Sequence, residues 1–265
     1  MRWALGILFA LCMACAERQP PRAPASGQPH LRVMTYNVNY GIPGDDATMD
    51  AIEAGAAAVV LLQETTPAWE EALRDRFAAT YPHMAFRHCC GAGGLAVLST
   101  HPFDEGDHLP PPDPAGWFPA WRVVVHAPVG DVQILNVHLR PQLSDSGSVL
   151  SGMLTTSSIR QAQIAGFHAA LDPTLPTLVV GDFNESAGGS AIGYLADRGL
   201  ESALPRFTGP QDTWRWQTSV GTISTQLDHI VHDERLAPLG VVVIARGRSD
   251  HLPVVGDFVV APAHR

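Results

Sequence analysis

The residues able to do hydrolytic chemistry gather where apolar β runs end. The run "LRVMTYN" closes on Asn37, "AAVVLLQE" on Glu64, "DVQILNVH" on His138 and "TLVVGDFN" on Asp182 and Asn184. "TQLDHIVHD" carries Asp228, and "SDHLPV" carries Asp250 and His251 beside a last apolar run. A strand puts alternate side chains on one face, so Asp182 and Asn184 point together at the carboxyl end of a core strand. Gly181, Asp182 and Asn184 are also ordinary turn residues, and a turn explains one such end. It does not explain carboxylates, amides and imidazoles at successive strand ends. Carboxylate and amide oxygens are hard ligands for Mg²⁺, Mn²⁺ or Ca²⁺. An imidazole serves proton transfer or phosphate contact near pH 7. Phosphodiester hydrolysis needs a water made nucleophilic, charge neutralised on the phosphoryl oxygens and a stabilised leaving oxygen. An Asp beside the water supplies the first, and a carboxylate-held divalent ion the second and third. An Asp–His pair fixes the imidazole tautomer and favours its cationic form.

The elements that must position these groups read as one layered domain. Residues 31–41 form a β-rich stretch, and residues 45–56 have helical character with early acids and a late glycine. A second buried strand covers 57–64. In "TPAWEEALRDRFA" Thr65 or Thr66 can cap a helix whose first turn suits Pro67. A strand follows at 94–100, then a Pro-rich irregular stretch over 101–120. "WRVVVHAP" and "DVQILNVHL" read as a hairpin. Residues 156–172 form an amphipathic helix with Ile159, Ala162, Ile164, Phe167 and Leu171 near one face. A strand at 176–184 and a short helix around 188–198 come next. "TQLDHIVHD", "GVVVIARG" and "PVVGDFVVAP" are three further strands. About ten strands with a few helices make an α/β or α+β layered fold without internal repeats.

Hydrophobic residues make up 46% of the 265 and charged residues 16%, which describes a packed globular chain. Every basic residue is Arg, none is Lys, and the formal net charge is -9. Nonspecific nucleic-acid affinity rests on cations neutralising phosphates, so tight duplex binding is not expected. A small phosphoester is not excluded by that balance.

Arg2 precedes the apolar run "WALGILFALCMAC", which is shorter than the ~20 residues of a membrane span and fits a signal-peptide core. Ala14-Cys15-Ala16 suits ordinary cleavage, while Cys15 also suits a lipoprotein cysteine, with Cys12 where that pattern prefers Leu. Residues 1–16 are therefore expected to be a leader, of ordinary or lipoprotein type, and 17–30 a Pro-rich linker before a domain at 31–262. The protein is expected to be exported: periplasmic, lipid-anchored or secreted. Cys89 and Cys90 are adjacent, which invites a vicinal bridge in an oxidising compartment. A metal site with His83 or His88 matches no zinc spacing. Strand packing with an optional bridge is the expectation for this pair.

Taken in order, "TYNV" (35–38), "LLQE" (61–64), "NVHL" (136–139), "GDFN" (181–184), "QLDHI" (226–230) and "SDHLPV" (249–254) resemble the motifs of the endonuclease/exonuclease/phosphatase superfamily, the deoxyribonuclease-like metal-dependent phosphoesterases. "IRQAQ" also resembles that family's Arg-x-x-Gln helix. The resemblance spans roughly residues 31 to 260. It implies an α+β fold, a four-layer αββα sandwich of two mostly antiparallel sheets flanked by helices, with the site at the mouth between the sheets. It implies that Glu64, with Asn37 and Asp250, holds the metal, Mg²⁺ or Mn²⁺ with Ca²⁺ admitted. It implies that Asp182 orients or deprotonates the attacking water, that Asn184 contacts the phosphate, and that His251, oriented by Asp228, hydrogen-bonds the phosphoryl oxygen. His138 matches the nuclease and sphingomyelinase branches, where it is an acid or transition-state donor. Asn39 departs from the pattern: abasic-site enzymes carry an acid there, which weakens any second carboxylate near the metal.

Arg140, Arg160 and Arg122 are weaker candidates for holding a phosphate oxyanion, surface or structural pairing being the alternative for each. Trp214 and Trp216 alternate on a strand-like stretch and are expected to pack in the core. His229 and His232 are expected to be strand residues that point elsewhere. The loop "PPPDPAGWFPAW" either touches a membrane or packs Trp117 and Phe118 inward. The substrate stays open among a small phosphoester, a nucleic acid and a phospholipid. The expected protein is a monomeric phosphodiesterase, with a nuclease, a sphingomyelinase-like enzyme and a catalytically silent tethered binding module as alternatives.

Overall fold

The computed structural model describes residues 18–112, 115–142, 155–209, 211–219 and 221–262. The expected leader lies outside them, and residues 18–30 run without helix or strand. Two main-chain hydrogen bonds, Gln19 N to Arg206 O and Arg22 N to Leu239 O, lay that segment against the domain.

Two six-stranded sheets face each other. The first is made of β1 (Leu31–Asn37), β2 (Val59–Gln63), β3 (His83–Arg87), β4 (Leu95–Ser99), β13 (Leu236–Val243) and β14 (Val254–Val260). Opposite them stand β5 (Phe103–Leu109), β6 (Ala120–Ala127), β7 (Gly130–His138), β8 (Thr177–Asp182), β9 (Glu201–Ser202) and β12 (Asp228–His232). The first sheet has the order β13-β14-β1-β2-β4-β3, and the second β5-β6-β7-β8-β12-β9. Only β1 with β2 and β7 with β8 pair in parallel; the other pairs are antiparallel. A separate hairpin, β10 (Trp214–Thr218) and β11 (Gly221–Thr225), stands apart.

Alternation along the strands divides the apolar residues among three cores. Leu31, Val33, Leu61, Val97, Val123, Ile134, Val180 and Ile230 fill the space between the sheets. On the outer face of the first sheet, Met34, Val60, Leu62 and Leu98 pack on helices α1 (Asp46–Gly55) and α2 (Pro67–Phe77) through Ile52, Trp69 and Leu73. Beyond the second sheet, Leu135, Val137 and Val179 pack on α3 (Ser157–His168) and α4 (Ser190–Ala196) through Ile164, Phe167 and Leu195. The result is the four-layer αββα sandwich. A short helix α5 (Leu204–Phe207) follows β9. Among the described residues no helix is long and apolar enough to cross a membrane.

Local chemistry sets the helix starts. Asp45 accepts from Thr48 N at the head of α1, and Thr66 accepts from Trp69 N at the head of α2, with Pro67 in its first turn. On α3 the buried face is Arg160, Gln163, Ile164 and Phe167, while Ala162 is exposed. The apolar pattern alone misplaced that face because two polar side chains point inward.

Four further strands differ from the sequence expectation. β3 and β5 are edge strands of mixed or polar sequence, β9 is two residues long and β11 is largely exposed, so none carries a clear apolar alternation, whereas β10 holds the strand-like stretch of Trp214 and Trp216. β13 begins at Leu236, ahead of "GVVVIARG", and includes Pro238. It pairs only with β14, where an edge position and a bulge between Pro238 and Gly240 accommodate the missing N–H. Cys89 and Cys90 lie not in a strand but in the loop after β3, joined as a disulfide.

Beneath the sandwich mouth a buried polar ladder crosses between the sheets. Gln63 Nε2 donates to Asn136 Oδ1 (2.7 Å) and to Thr35 Oγ1 (3.0 Å), and Asn136 Nδ2 donates to Leu62 O (3.1 Å). Burying these groups is costly unless each is paired, so the ladder specifies the mutual register of β1, β2 and β7. One residue beyond it, or two, come Asn37, Glu64 and His138.

Candidate active site

Three neighbouring strands deliver three of the groups side by side. In the β7–β8–β12 register His138 stands opposite Asp182, and Asp182 opposite Asp228. All three are buried. Gly181 has a φ of 143°, and a Cβ there would lie 1.9 Å from Val137 O, so the close passage of β8 along β7 requires glycine.

The loops complete the constellation. His251 Nδ1 donates to Asp228, 2.9 Å from Oδ2 and 3.2 Å from Oδ1, and its Nε2 lies 3.5 Å from Asp182 Oδ2. His138 Nε2 lies 3.5 Å from the same Asp182 oxygen and 4.0 Å from Glu64 Oε1. Asn37 Nδ2 bridges Glu64 Oε1 (3.0 Å) and Asp182 Oδ2 (3.2 Å). Asp182 Oδ1 is taken by Asn184 N at 2.8 Å, leaving Oδ2 to face the imidazoles. Asn184 Nδ2 donates to Leu139 O. Asn39, Glu64 and Asn184 all hold positive φ, at 62°, 62° and 52°. Such left-handed backbone away from glycine is uncommon, and it concentrates here at the site.

Asp250 is held on both sides. Asn39 Nδ2 donates to its Oδ1 (3.0 Å) and Trp214 Nε1 to its Oδ2 (3.1 Å). The departure at Asn39 thus replaces a second acid with a donor that pins Asp250. Trp214 is not a core residue but a site neighbour, and Trp216 is 47% exposed; both correct the expectation of core packing. Thr213 Oγ1 accepts from Leu227 N and Asp228 N, fixing the head of β12. Ser249 Oγ donates to Asn37 O and accepts from His251 N, tying β1 to the Asp250–His251 loop. Thr213 escaped notice, and Trp214 and Phe118 were read only as packing residues, because each acts through the fold rather than within a motif. Ser249 stood inside "SDHLPV".

The weaker arginine candidates do not reach the site as free cations. Arg160 is buried, donating to Glu185 Oε2 (3.1 Å) and Thr156 Oγ1 (2.7 Å). Glu185 in turn accepts from Ala191 N and Ile192 N at the head of α4, so Arg160 is a structural anchor. Arg140 is buried with its guanidinium 3.6 Å from the Trp117 ring centre, donating to Ala115 O. Arg122 lies on β6 and pairs with Asp107. His229 and His232 are buried on β12, His229 donating to Glu185 O, in keeping with their expected place.

Electrostatics follow from burial and mutual approach. Burial raises the Glu64 and Asp182 carboxyls above their ordinary values; His251 and His138 work against this at Asp182. Burial lowers His138. Burial also works to lower His251, but Asp228 and Asp182 outweigh it and lift the imidazole to about 10. His251 is therefore cationic at neutral pH and His138 neutral. Four carboxylates, Glu64, Asp182, Asp228 and Asp250, thus share one cationic side chain. That deficit of positive charge, among hard oxygen donors, fits a divalent ion. Ligand atoms of Asp182, Asp228 and His251 all lie within 4.8 Å of one another, but a cationic His251 has no lone pair to offer an ion, so carboxylate oxygens are the available ligands.

The fold and this constellation define a deoxyribonuclease-I-like phosphoesterase class. The model of the Endonuclease/Exonuclease/phosphatase family matches residues 34–251, and the chain belongs to that family. Membership makes it a metal-dependent phosphoester hydrolase. Among solved structures, an endonuclease/exonuclease/phosphatase from Beutenbergia cavernae DSM 12333 is 24% identical, with a TM-score of 0.69 over 89% of this chain and 73% of that one. D. rerio TDP2 humanized by 14 mutations is 15% identical, with a TM-score of 0.67 over 86% and 98%. D. rerio TDP2 complexed with a single strand DNA product is 15% identical, with a TM-score of 0.65 over 86% and 98%. No curated protein matches the chain.

Proposed function

We propose that this chain is an exported phosphodiesterase that cleaves its substrate by metal-assisted attack of water. The observation that carries the reading is the convergence of His138 and His251 on one oxygen of Asp182, beside Glu64. Export rests on the sequence of the leader alone.

In this reading Glu64, with Asn37 and Asp250, would hold the ion, and Mg²⁺ or Mn²⁺ would suit the oxygen donors. The Asp182–Asp228–His251 group is the closer geometric cluster, but Asp228 is spent on His251 Nδ1, which favours Glu64 as the principal ligand. When bound, the ion neutralises phosphoryl charge and stabilises the leaving oxygen. Asp182 Oδ2 takes a proton from water; its raised affinity for protons suits a base. His251, held cationic by Asp228, donates from Nε2 to a phosphoryl oxygen. Asn184 contacts the phosphate from the adjoining turn. His138 presents a neutral Nε2 from the other side, 3.5 Å from Asp182 Oδ2, where it takes that proton from Asp182 and, since burial disfavours its cation, passes it to the leaving oxygen. The balanced outcome is a diester and water converted to a monoester and an alcohol.

An apolar rim supports a substrate with a flat or apolar group next to its phosphate. Tyr40, whose N–H binds Glu64, Trp117, next to Phe118, and Trp216 with Ile223 opposite it on the hairpin are four of the five exposed large apolar side chains among the described residues. Together with TDP2 solved on single strand DNA, this makes a single-stranded nucleotide diester the first natural substrate to try, and phospholipid the second.

The test is hydrolysis of a chromogenic phosphodiester and its monoester by the purified protein with Mg²⁺, Mn²⁺ or EDTA, beside Glu64→Gln. Metal-dependent diester turnover, weakened in the variant, is expected. Monoester preference overturns the diesterase reading in favour of a phosphatase. A folded protein inert towards chromogenic, nucleotide and phospholipid diesters would be a binding module.

A further inference from the structure

The loop between β3 and β4 carries the Cys89–Cys90 disulfide and ends against the site. Cys90 has a φ of 32° and opens the single helical turn Gly91–Gly93. Within that turn Ala92 O accepts from His138 Nδ1 at 3.2 Å. Gly93 fits beneath the sulfurs: a Cβ there would lie 2.7 Å from Cys90 Sγ and 3.5 Å from Cys89 Sγ, and 3.0 Å from the Phe118 ring. Phe118 stacks on the His138 imidazole, with ring centres 4.3 Å apart and planes at 23°. Cys90 Sγ also lies 3.8 Å from Trp117 O. The next residue, Gly94, accepts from Thr65 N (3.1 Å), and a Cβ on it would strike Thr65 O, so the loop is braced against the neighbour of Glu64. His138 is thus gripped by a carbonyl at Nδ1 and a ring on one face; the disulfide opens the turn that carries the carbonyl and touches the main chain next to the ring.

We propose that the Cys89–Cys90 disulfide is a positioning element for His138 and the site at which thiol reductants tune this enzyme. The inference rests on the role given to His138 above. The closed bridge restrains the Cys89–Gly93 backbone and keeps Ala92 O where it accepts a hydrogen bond from Nδ1–H. That fixes the tautomer and leaves Nε2 to face Asp182 and Glu64. Cys90 is exposed, so a reductant can reach the sulfurs. Reduction breaks the S–S bond: two electrons and two protons arrive, giving two thiols, while a dithiol reductant becomes its own disulfide. With a phosphine, water supplies the oxygen of the phosphine oxide and the two protons. The freed loop no longer holds Ala92 O, and His138 loses its single orientation. The fold persists, because β3 and β4 keep their own pairing.

The experiment compares the purified full chain before and after reduction with a water-soluble phosphine, the state of Cys89 and Cys90 being read by alkylation and peptide mass spectrometry. Steady-state hydrolysis is measured in both states for the wild type, for Cys89→Ala/Cys90→Ala and for His138→Ala. Reduction is expected to lower kcat about tenfold, as a misplaced catalytic group does, with KM and Tm little changed and recovery on reoxidation. The double cysteine variant should behave as the reduced protein in either state. In His138→Ala, reduction should change nothing further. Long-range nitrogen–proton NMR of the imidazoles, with His138 assigned by its absence from His138→Ala, reads the link without any turnover. The oxidised protein should show the single Nδ1–H tautomer, and the reduced protein a mixture. An unchanged His138 tautomer on reduction overturns the proposal whether or not the protein turns over. So does an equal fall in kcat in the His138→Ala background, or free thiols at both positions in fully active protein.

Discussion

His138 and His251 face each other across a single atom: each holds its Nε2 3.5 Å from Asp182 Oδ2. One imidazole is made cationic by Asp228 and the other kept neutral by burial, so the oxygen lies between a hydrogen-bond donor and a proton acceptor. Asp182→Asn keeps the shape and removes the base. Its kcat should fall by about 10²–10⁴-fold. The same change relieves a buried carboxylate beside Asp228, so Tm should not drop; a thermal melt beside the kinetics checks both.

The aromatic rim should act on binding rather than chemistry. Trp216 is exposed and follows Trp214, whose indole N–H holds Asp250. Trp216→Ala should raise KM about tenfold for a diester flanked by bases, with kcat retained, and leave a small aliphatic diester unaffected. Steady-state kinetics on the two substrates decide the matter.

Arg160 should prove structural. Its loss strands Glu185, a buried acid that caps α4. Arg160→Met should cost about 3–5 kcal/mol of stability in urea unfolding. KM of the remaining folded protein should stay near the wild-type value, whereas a phosphate-binding arginine would raise it.

Acid stability should depend on His229. Burial pushes its imidazole down to about 4, and it sits neutral between Glu185 O and Ser202. The unfolded chain binds the proton near pH 6.5 while the folded one refuses it until about 4, so stability falls as pH drops through that interval and levels off below it. A shift of that size corresponds to about 3 kcal/mol. His229→Gln should flatten this part of the profile, read as the difference in urea midpoints at pH 7 and pH 4.5.

The site's carboxylates and imidazoles were legible because strand ends deliver them: "GDFN" and "QLDHI" became register partners at Asp182 and Asp228, and "NVHL" placed His138 next to them. The apolar runs that fill three cores fixed most strands and four helices in the same way. What stayed hidden acts across the chain. Trp214 reads as an apolar residue of a β stretch, yet its one polar atom holds Asp250, 36 residues on. Arg160 reads equally as a phosphate-holding or a paired cation, because its partner Glu185 lies 25 residues away. Edge strands β3 and β5 carry polar faces, and periodicity cannot mark a strand that is half solvated. The tilt of Phe118 onto His138 needs the loop after β3, which no spacing connects to it.

The most direct test of the central claim is the rate of phosphodiester hydrolysis by the purified protein as EDTA is added and Mg²⁺ then restored, with Asp182→Asn alongside. The expected result is turnover abolished by the chelator, regained with the metal, and at most about one hundredth as fast in the variant at every step. Turnover indifferent to the chelator, or equal in Asp182→Asn, would contradict a metal-dependent reaction centred on that oxygen.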